Sequence, residues 1–216
     1  MKSLRHLGVL AAVGLALIGG GSALAQDATA VPVTSLTANF FDGPYTPSPD
    51  LCLAKPLSSE QIASTLATPT PLNTPAVTSA GIAVLPSGSP ADPVVADAVL
   101  NTLTQLWACN NANMTASTLA LFTTDGMQRV FGVTESSGST VLDIQANVDQ
   151  MLADAGTPRP ENDRASIDAV FGLVQHEDGS VGVLVLNSDA SVAGGDQVLD
   201  YFEFVPQNGL YLVSNI

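Results

Sequence analysis

Few side chains in this sequence are equipped for chemistry. Beyond residue 25 there is one histidine, His176, within His176-Glu177-Asp178-Gly179. A histidine beside a tight turn reads first as a solvated side chain, and a Ser-His-Asp or Cys-His arrangement would have to be built around it alone. Gly179-Ser180-Val181-Gly182 lacks the G-x-S-x-G spacing of a nucleophile elbow. There is no phosphate-cradling glycine loop and no dinucleotide fingerprint, so no cofactor is expected. Asn187-x-Asp189-x-Ser191 begins like a calcium loop, but Val192 and Val198 stand where such a loop needs Gly and Glu. No metal is expected. Asn113-Met114-Thr115 is a glycosylation acceptor pattern, though Asn113 is better explained as a helix cap.

Two carboxylates on strand-like segments remain as weak catalytic candidates. Asp168 sits opposite the face carrying Ile167 and Phe171, and Asp200 shares a face with Val198, Phe202 and Phe204. Tyr201 follows Asp200 directly and must point the other way. Tyr211, on the next strand, partners Asp200 if the register allows. The plainer alternative is that Asp200 is solvated at an edge or paired with Arg159 or Arg164.

The start of the chain argues for export. Lys2 and Arg5 precede an apolar run, Leu7 to Ile18, followed by Gly19-Gly20-Gly21-Ser22 and the small-x-small pattern Ala23-Leu24-Ala25. Residues 1–25 therefore read as a cleavable signal peptide, and the run is too short to span a bilayer. Removing 25 of 216 residues leaves 191, with Lys55, Arg129, Arg159 and Arg164 against 20 acidic residues, a formal charge of −16. Such a charge disfavours nucleic acid and anionic lipid surfaces. No stretch of the mature chain is apolar enough to make a stable membrane span. The expected location is extracytoplasmic, secreted or on the cell surface. Two thiols in an exported chain, Cys52 and Cys109, most simply form one disulfide. Two buried free thiols or an intermolecular bridge are the alternatives.

The elements that must hold these residues follow from composition and periodicity. Residues 26–91 are rich in Pro, Thr and Ser and read as a flexible segment. Within it, Ser58 to Gln61 fits a capping box, and Ile62 and Leu66 suggest a short helix at about 59–67. From 92 the chain becomes a domain that runs to 216. Asp92 and Pro93 start a helix carrying Val95, Val99, Leu103, Leu106 and Trp107 to about Cys109. Asn110 to Asn113 make a turn, with Asn113 capping a second helix through about Phe122. A third helix covers roughly 141–154. Strands follow at about 165–175, 181–186, 198–205 and 210–216. Asp178-Gly179 and Asn208-Gly209 make the hairpin turns, and a longer glycine-bearing loop covers 189–196. Along the first strand Ile167, Ala169, Phe171 and Leu173 alternate onto one face. Helices followed by strands indicate α+β: three helices packed on a curved antiparallel four-strand meander.

Leu106-Trp107-Ala108-Cys109-Asn110-Asn111-Ala112-Asn113, Leu119 to Asp125, and Phe202-Glu203-Phe204-Val205-Pro206-Gln207-Asn208-Gly209-Leu210-Tyr211-Leu212 resemble the nuclear transport factor 2-like superfamily. That superfamily includes ketosteroid isomerase, scytalone dehydratase and polyketide cyclase-like proteins. The likeness covers about 92–216, and extends to exported bacterial members with a Pro/Thr-rich leader containing one cysteine. It implies a cone-shaped fold with a pocket between sheet and helices. One departure is Gly126 to Gly132, a short helix or irregular segment where many relatives place an early hairpin. In ketosteroid isomerase-like members a carboxylate and a tyrosine in that pocket shift a proton, which would fall to Asp200 or Asp168 with Tyr211. The lack of a recognisable catalytic set favours non-enzymatic binding of a small apolar ligand or a partner. A surface-display or adhesion module and an acid/base isomerase or lyase are the rivals. A homodimer is left open.

Overall fold

The computed structural model describes residues 43–68, 88–132, 141–153, 155–190 and 197–216. The expected signal peptide and residue Ser191 lie outside them. The architecture is α+β. Five helices are described, α1 (Ser59–Leu66), α2 (Pro93–Asn111), α3 (Thr115–Leu119), α4 (Thr124–Phe131) and α5 (Val141–Ala153). They accompany one antiparallel sheet of five strands in sequence order: β1 (Ser89–Pro90), β2 (Ser166–Gln175), β3 (Val181–Ser188), β4 (Gln197–Gln207) and β5 (Leu210–Asn215). This is one strand more than the expected four, and the helices outnumber the expected three and the short segment ahead of them. The added strand, β1, pairs Ser89 with Gln175 and Pro90 with Val174. Proline is tolerated there because β1 is an edge strand.

Local chemistry sets the helix starts. Ser58 Oγ accepts from Gln61 N at 3.2 Å while Gln61 Oε1 accepts from Ser58 N at 2.9 Å. This reciprocal cap launches α1, which buries Ile62, Ala63 and Leu66 and packs against α5 through a 2.6 Å hydrogen bond from Ser59 Oγ to Asp149. Asp92 accepts from Val94 N at 2.9 Å, with Pro93 opening α2. The Asn113 expectation is corrected. Asn113 has φ 54°, the left-handed conformation that ends α2, and α3 starts from Met114 with no side-chain cap. The second helix also stops at Leu119 and not near Phe122. There the chain turns to lie along β5, where Phe122 bridges Val213 and Thr123 N donates to Val213 O at 2.9 Å. Thr123 then caps α4, so the ambiguous 126–132 stretch is helical to Phe131.

β2 does not alternate as expected. Register shifts fall between Ile167 and Ala169 and between Phe171 and Val174, the second at Gly172 with φ 60°. Each bulge adds a residue and turns the following side chain over. Ile167, Val170 and Leu173 therefore join the core, spaced by three. Ala169 pairs with Leu186 and Phe171 with Leu184, and the rows continue across β4 to Leu199 and Tyr201 on the face away from the helices. The helix-facing side carries Val181, Val183, Val185, Phe202, Phe204 and Val213.

Residues 43–58 are strapped to this body. Tyr45 bridges Ile167, and Asn111 Nδ2 donates to Pro47 O at 3.0 Å. Cys52 and Cys109 form a disulfide with Cα atoms 4.6 Å apart. Leu53 N donates to Gln105 Oε1 at 2.7 Å, and Leu57 N to Ala116 O at 3.2 Å. Among the described residues no helix is long and apolar enough to cross a membrane.

Candidate functional site

The sheet register decides the fate of the expected acid/base pair. Asp200 does face the helices with Phe202 and Phe204, opposite Val185. Its partner is Asn187, whose Nδ2 donates to Asp200 Oδ2 at 2.8 Å. Neither arginine reaches it: Arg159 pairs with Asp189 at 2.9 Å, and Arg164 Nε donates to Arg159 O. Burial raises the Asp200 carboxyl above its ordinary range, and the Asn187 bond pulls it partly back. Tyr211, however, pairs with Pro206. Six residue steps along β4 separate that position from Asp200, about 20 Å at ~3.3 Å per residue. The two share a sheet face and no site.

Asp168 lies at the first bulge of β2. It accepts from Ser166 Oγ at 2.7 Å, from Ser188 Oγ, and from Gln197 Nε2 at 2.9 Å. Ser166, Ser188 and Gln197 form one cross-strand row. The carboxylate staples three strands through neutral donors and borders neither of the two grooves described below. The ion pair to Arg159 occupies Asp189, the second position of the calcium-like pattern. Among the described residues no group of three or more His, Cys, Asp or Glu could hold a metal ion.

His176 has a neighbour that the sequence reading missed. A Cβ on Gly182 would stand 2.7 Å from Tyr201 Oη and 3.1 Å from His176 Nε2. The phenol and the imidazole both stand over Gly182, the second residue of β3, and this glycine is the signal that could have revealed it, since a strand glycine marks a close approach. Burial, then the charges of Glu203 and Asp178, push the Tyr201 phenol up, so it stays a protonated donor. Asp178, in the hairpin turn, accepts from Ser180 Oγ and N and is held below the usual carboxylate range. A groove of about 560 Å³ beside this turn is bordered by Gly88, Ser89, Gln175, His176 and Glu177.

Between helices and sheet stand Trp107, Phe122, Phe202 and Phe204, all buried. Trp107 and Phe202 have ring centroids 5.6 Å apart, and Phe202 and Phe204 6.3 Å. A second groove, of about 260 Å³, opens at the helical end, walled by Pro56, Met114, Ala116, Ser117, Leu152 and Ala155. It contains none of Asp168, Asp200 or Tyr211. Its walls exist because the Cys52 strap brings Pro56 beside α3, and because Gly156 N donates to Asn113 O at 3.1 Å. No family model, no curated protein and no solved structure matches the chain.

Proposed function

We propose that this chain is an exported, non-catalytic binding domain of the nuclear transport factor 2-like kind, and that it takes a small apolar ligand. The observation that carries the reading is the helical-end groove, about 260 Å³ in volume, whose walls are mainly apolar and, among the described residues, include no ionisable side chain. That volume exceeds the ~150 Å³ that accommodates benzene in an engineered cavity. Buried aromatic side chains occupy the space between helices and sheet, which favours this groove over an interior pocket. The disulfide supports an oxidising, extracytoplasmic setting.

The test is a thermal-shift panel of small neutral compounds such as indole, cyclohexanone and p-cresol on the oxidised protein. Binding to the folded state stabilises it by about 2.7 kcal/mol at a hundredfold excess over Kd. A concentration-dependent rise in Tm is expected. A flat response across the panel rules the reading out.

Acid/base catalysis at Asp200 is the second reading, favoured by its raised carboxyl. It requires that Asp200→Asn abolish a measurable proton exchange at the α-carbon of a ketone substrate. An unchanged rate eliminates it.

A further inference from the structure

The chain contains one Asn-Gly dipeptide, Asn208-Gly209. It forms the two-residue loop between β4 and β5, closed by the Gln207–Leu210 pair. Both residues are exposed, with φ 54° and 80°. A two-residue hairpin loop of this hand needs positive φ twice, which is why Asn and Gly stand there. The same dipeptide is chemically labile. A backbone nitrogen attacks the preceding asparagine side chain most readily when it belongs to glycine, which has no Cβ to block the approach.

The two hairpin turns of the sheet differ in how they hold these groups. In the Asp178-Gly179 turn the carboxylate accepts from Ser180 N at 2.9 Å and from Ser180 Oγ at 2.7 Å, while Gly179 N donates to His176 O at 3.0 Å. The carbon that would be attacked and the nitrogen that would attack it are both tied down. In the second turn, among the described residues, no hydrogen bond engages the Asn208 side-chain amide, and Gly209 N donates to no carbonyl across the loop. A Cβ on Gly209 would meet nothing within 4 Å, so the loop tip is unpacked.

We propose that Asn208 is a site of spontaneous deamidation, the first residue of the folded chain to change, and that its products remodel only the tip of the β4–β5 hairpin. Gly209 N gives up its proton and bonds to Asn208 Cγ, and the side-chain nitrogen leaves as ammonia with that proton. The product is a succinimide. Water then adds to one of the two ring carbonyls. Opening one C–N bond gives aspartate; opening the other gives isoaspartate, whose backbone runs through the side chain and is one atom longer. Either product adds a negative charge. The extra backbone atom of isoaspartate breaks the two-residue loop and with it the Gln207–Leu210 pair. Further in, β5 is gripped from outside the hairpin: Thr102 Oγ1 donates to Tyr211 O at 2.7 Å, and Val213 N to Leu121 O at 2.9 Å. The strand therefore stays on the sheet while its first turn opens.

The full oxidised chain is aged at pH 6 and pH 8, with a parallel sample in urea. Peptide mapping by mass, together with labelling by an isoaspartyl methyltransferase, follows every asparagine and aspartate. The Asn208 peptide is expected to convert before any other, faster at pH 8, with isoaspartate among its products. Its rate in the folded chain is expected within about tenfold of the rate in urea, because opening an exposed loop tip costs little. Earlier conversion at another residue overturns the assignment. A folded rate far below the urea rate overturns it too, since the turn then protects Asn208. Amide chemical shifts of the aged chain are expected to move at 206–210 and to hold at Val213. Movement along the whole of β5 overturns the confinement to the tip.

Discussion

Asp200 and Tyr211 face the same side of the sheet but sit at different ends of it, because β5 places Tyr211 opposite Pro206. The carboxyl raised by burial thus has an amide, Asn187, as its neighbour and no phenol. The same burial makes Asp200 a source of pH-dependent stability.

A raised carboxyl means that the folded state holds a proton the unfolded state has released. Between the ordinary aspartate value of 3.8 and the higher folded value, stability falls as pH rises. Asp200→Asn removes that loss. Urea titrations of both proteins at pH 3.5 and pH 7 are expected to show the variant gaining on the wild type as pH increases. A constant difference between them contradicts a desolvated Asp200.

Reducing Cys52–Cys109, or replacing either cysteine by serine, is expected to cost about 2–4 kcal/mol. The loop it closes spans 57 positions, so most of the effect lies in the unfolded chain. Denaturant midpoints with and without reductant measure it. Equal midpoints mean the strap holds without the bond.

A Cβ at Gly182 would crowd the end of the Tyr201 ring, 2.7 Å from Oη and 3.0 Å from Cε2. Gly182→Ala is expected to destabilise by about 1–3 kcal/mol through its clash with Tyr201. Tyr201→Ala in the same chain relieves part of that cost. A double-mutant cycle should therefore be strongly non-additive, and simple additivity would falsify the contact.

Asn111 is fully buried, and each polar atom of its side chain is used. Nδ2 donates to Pro47 O and Ala165 O, both at 3.0 Å, and Oδ1 accepts from Ala165 N at 2.8 Å. Asn111→Ala leaves these backbone groups without partners at a cost of about 3 kcal/mol or more. A melt should show a Tm lowered by roughly 6–12 °C.

The parts of the fold that depend on neighbours in sequence were legible. The Ser58 capping box, the Asp92–Pro93 start of α2 and the two hairpin turns each rest on a few adjacent residues. The parts set by distant partners were not. The β2 bulges put Val170 in the helix-facing cluster in place of Ala169 and Phe171, and no local pattern announces them. Asn113 reads equally as a helix start or a helix end, because a short amide tolerates both conformations. Asn111 looked like a turn residue, and its role emerges only when Pro47 and Ala165 arrive from elsewhere.

The strap also defines a path for mechanical load. A pull on the chain upstream of Gly43 would first meet the short Tyr45–Ile167 bridge, then the Asn111–Pro47 hydrogen bond, and then the covalent Cys52–Cys109 link. Beyond that link, tension passes directly into α2 at Cys109. Cys52–Cys109 closes a loop around α1 and Pro56, so a pull along the chain bypasses their backbone. The bridge thus divides the groove wall: Pro56 lies off the load path, while the walls from α3 and α5 lie downstream of Cys109 and on it.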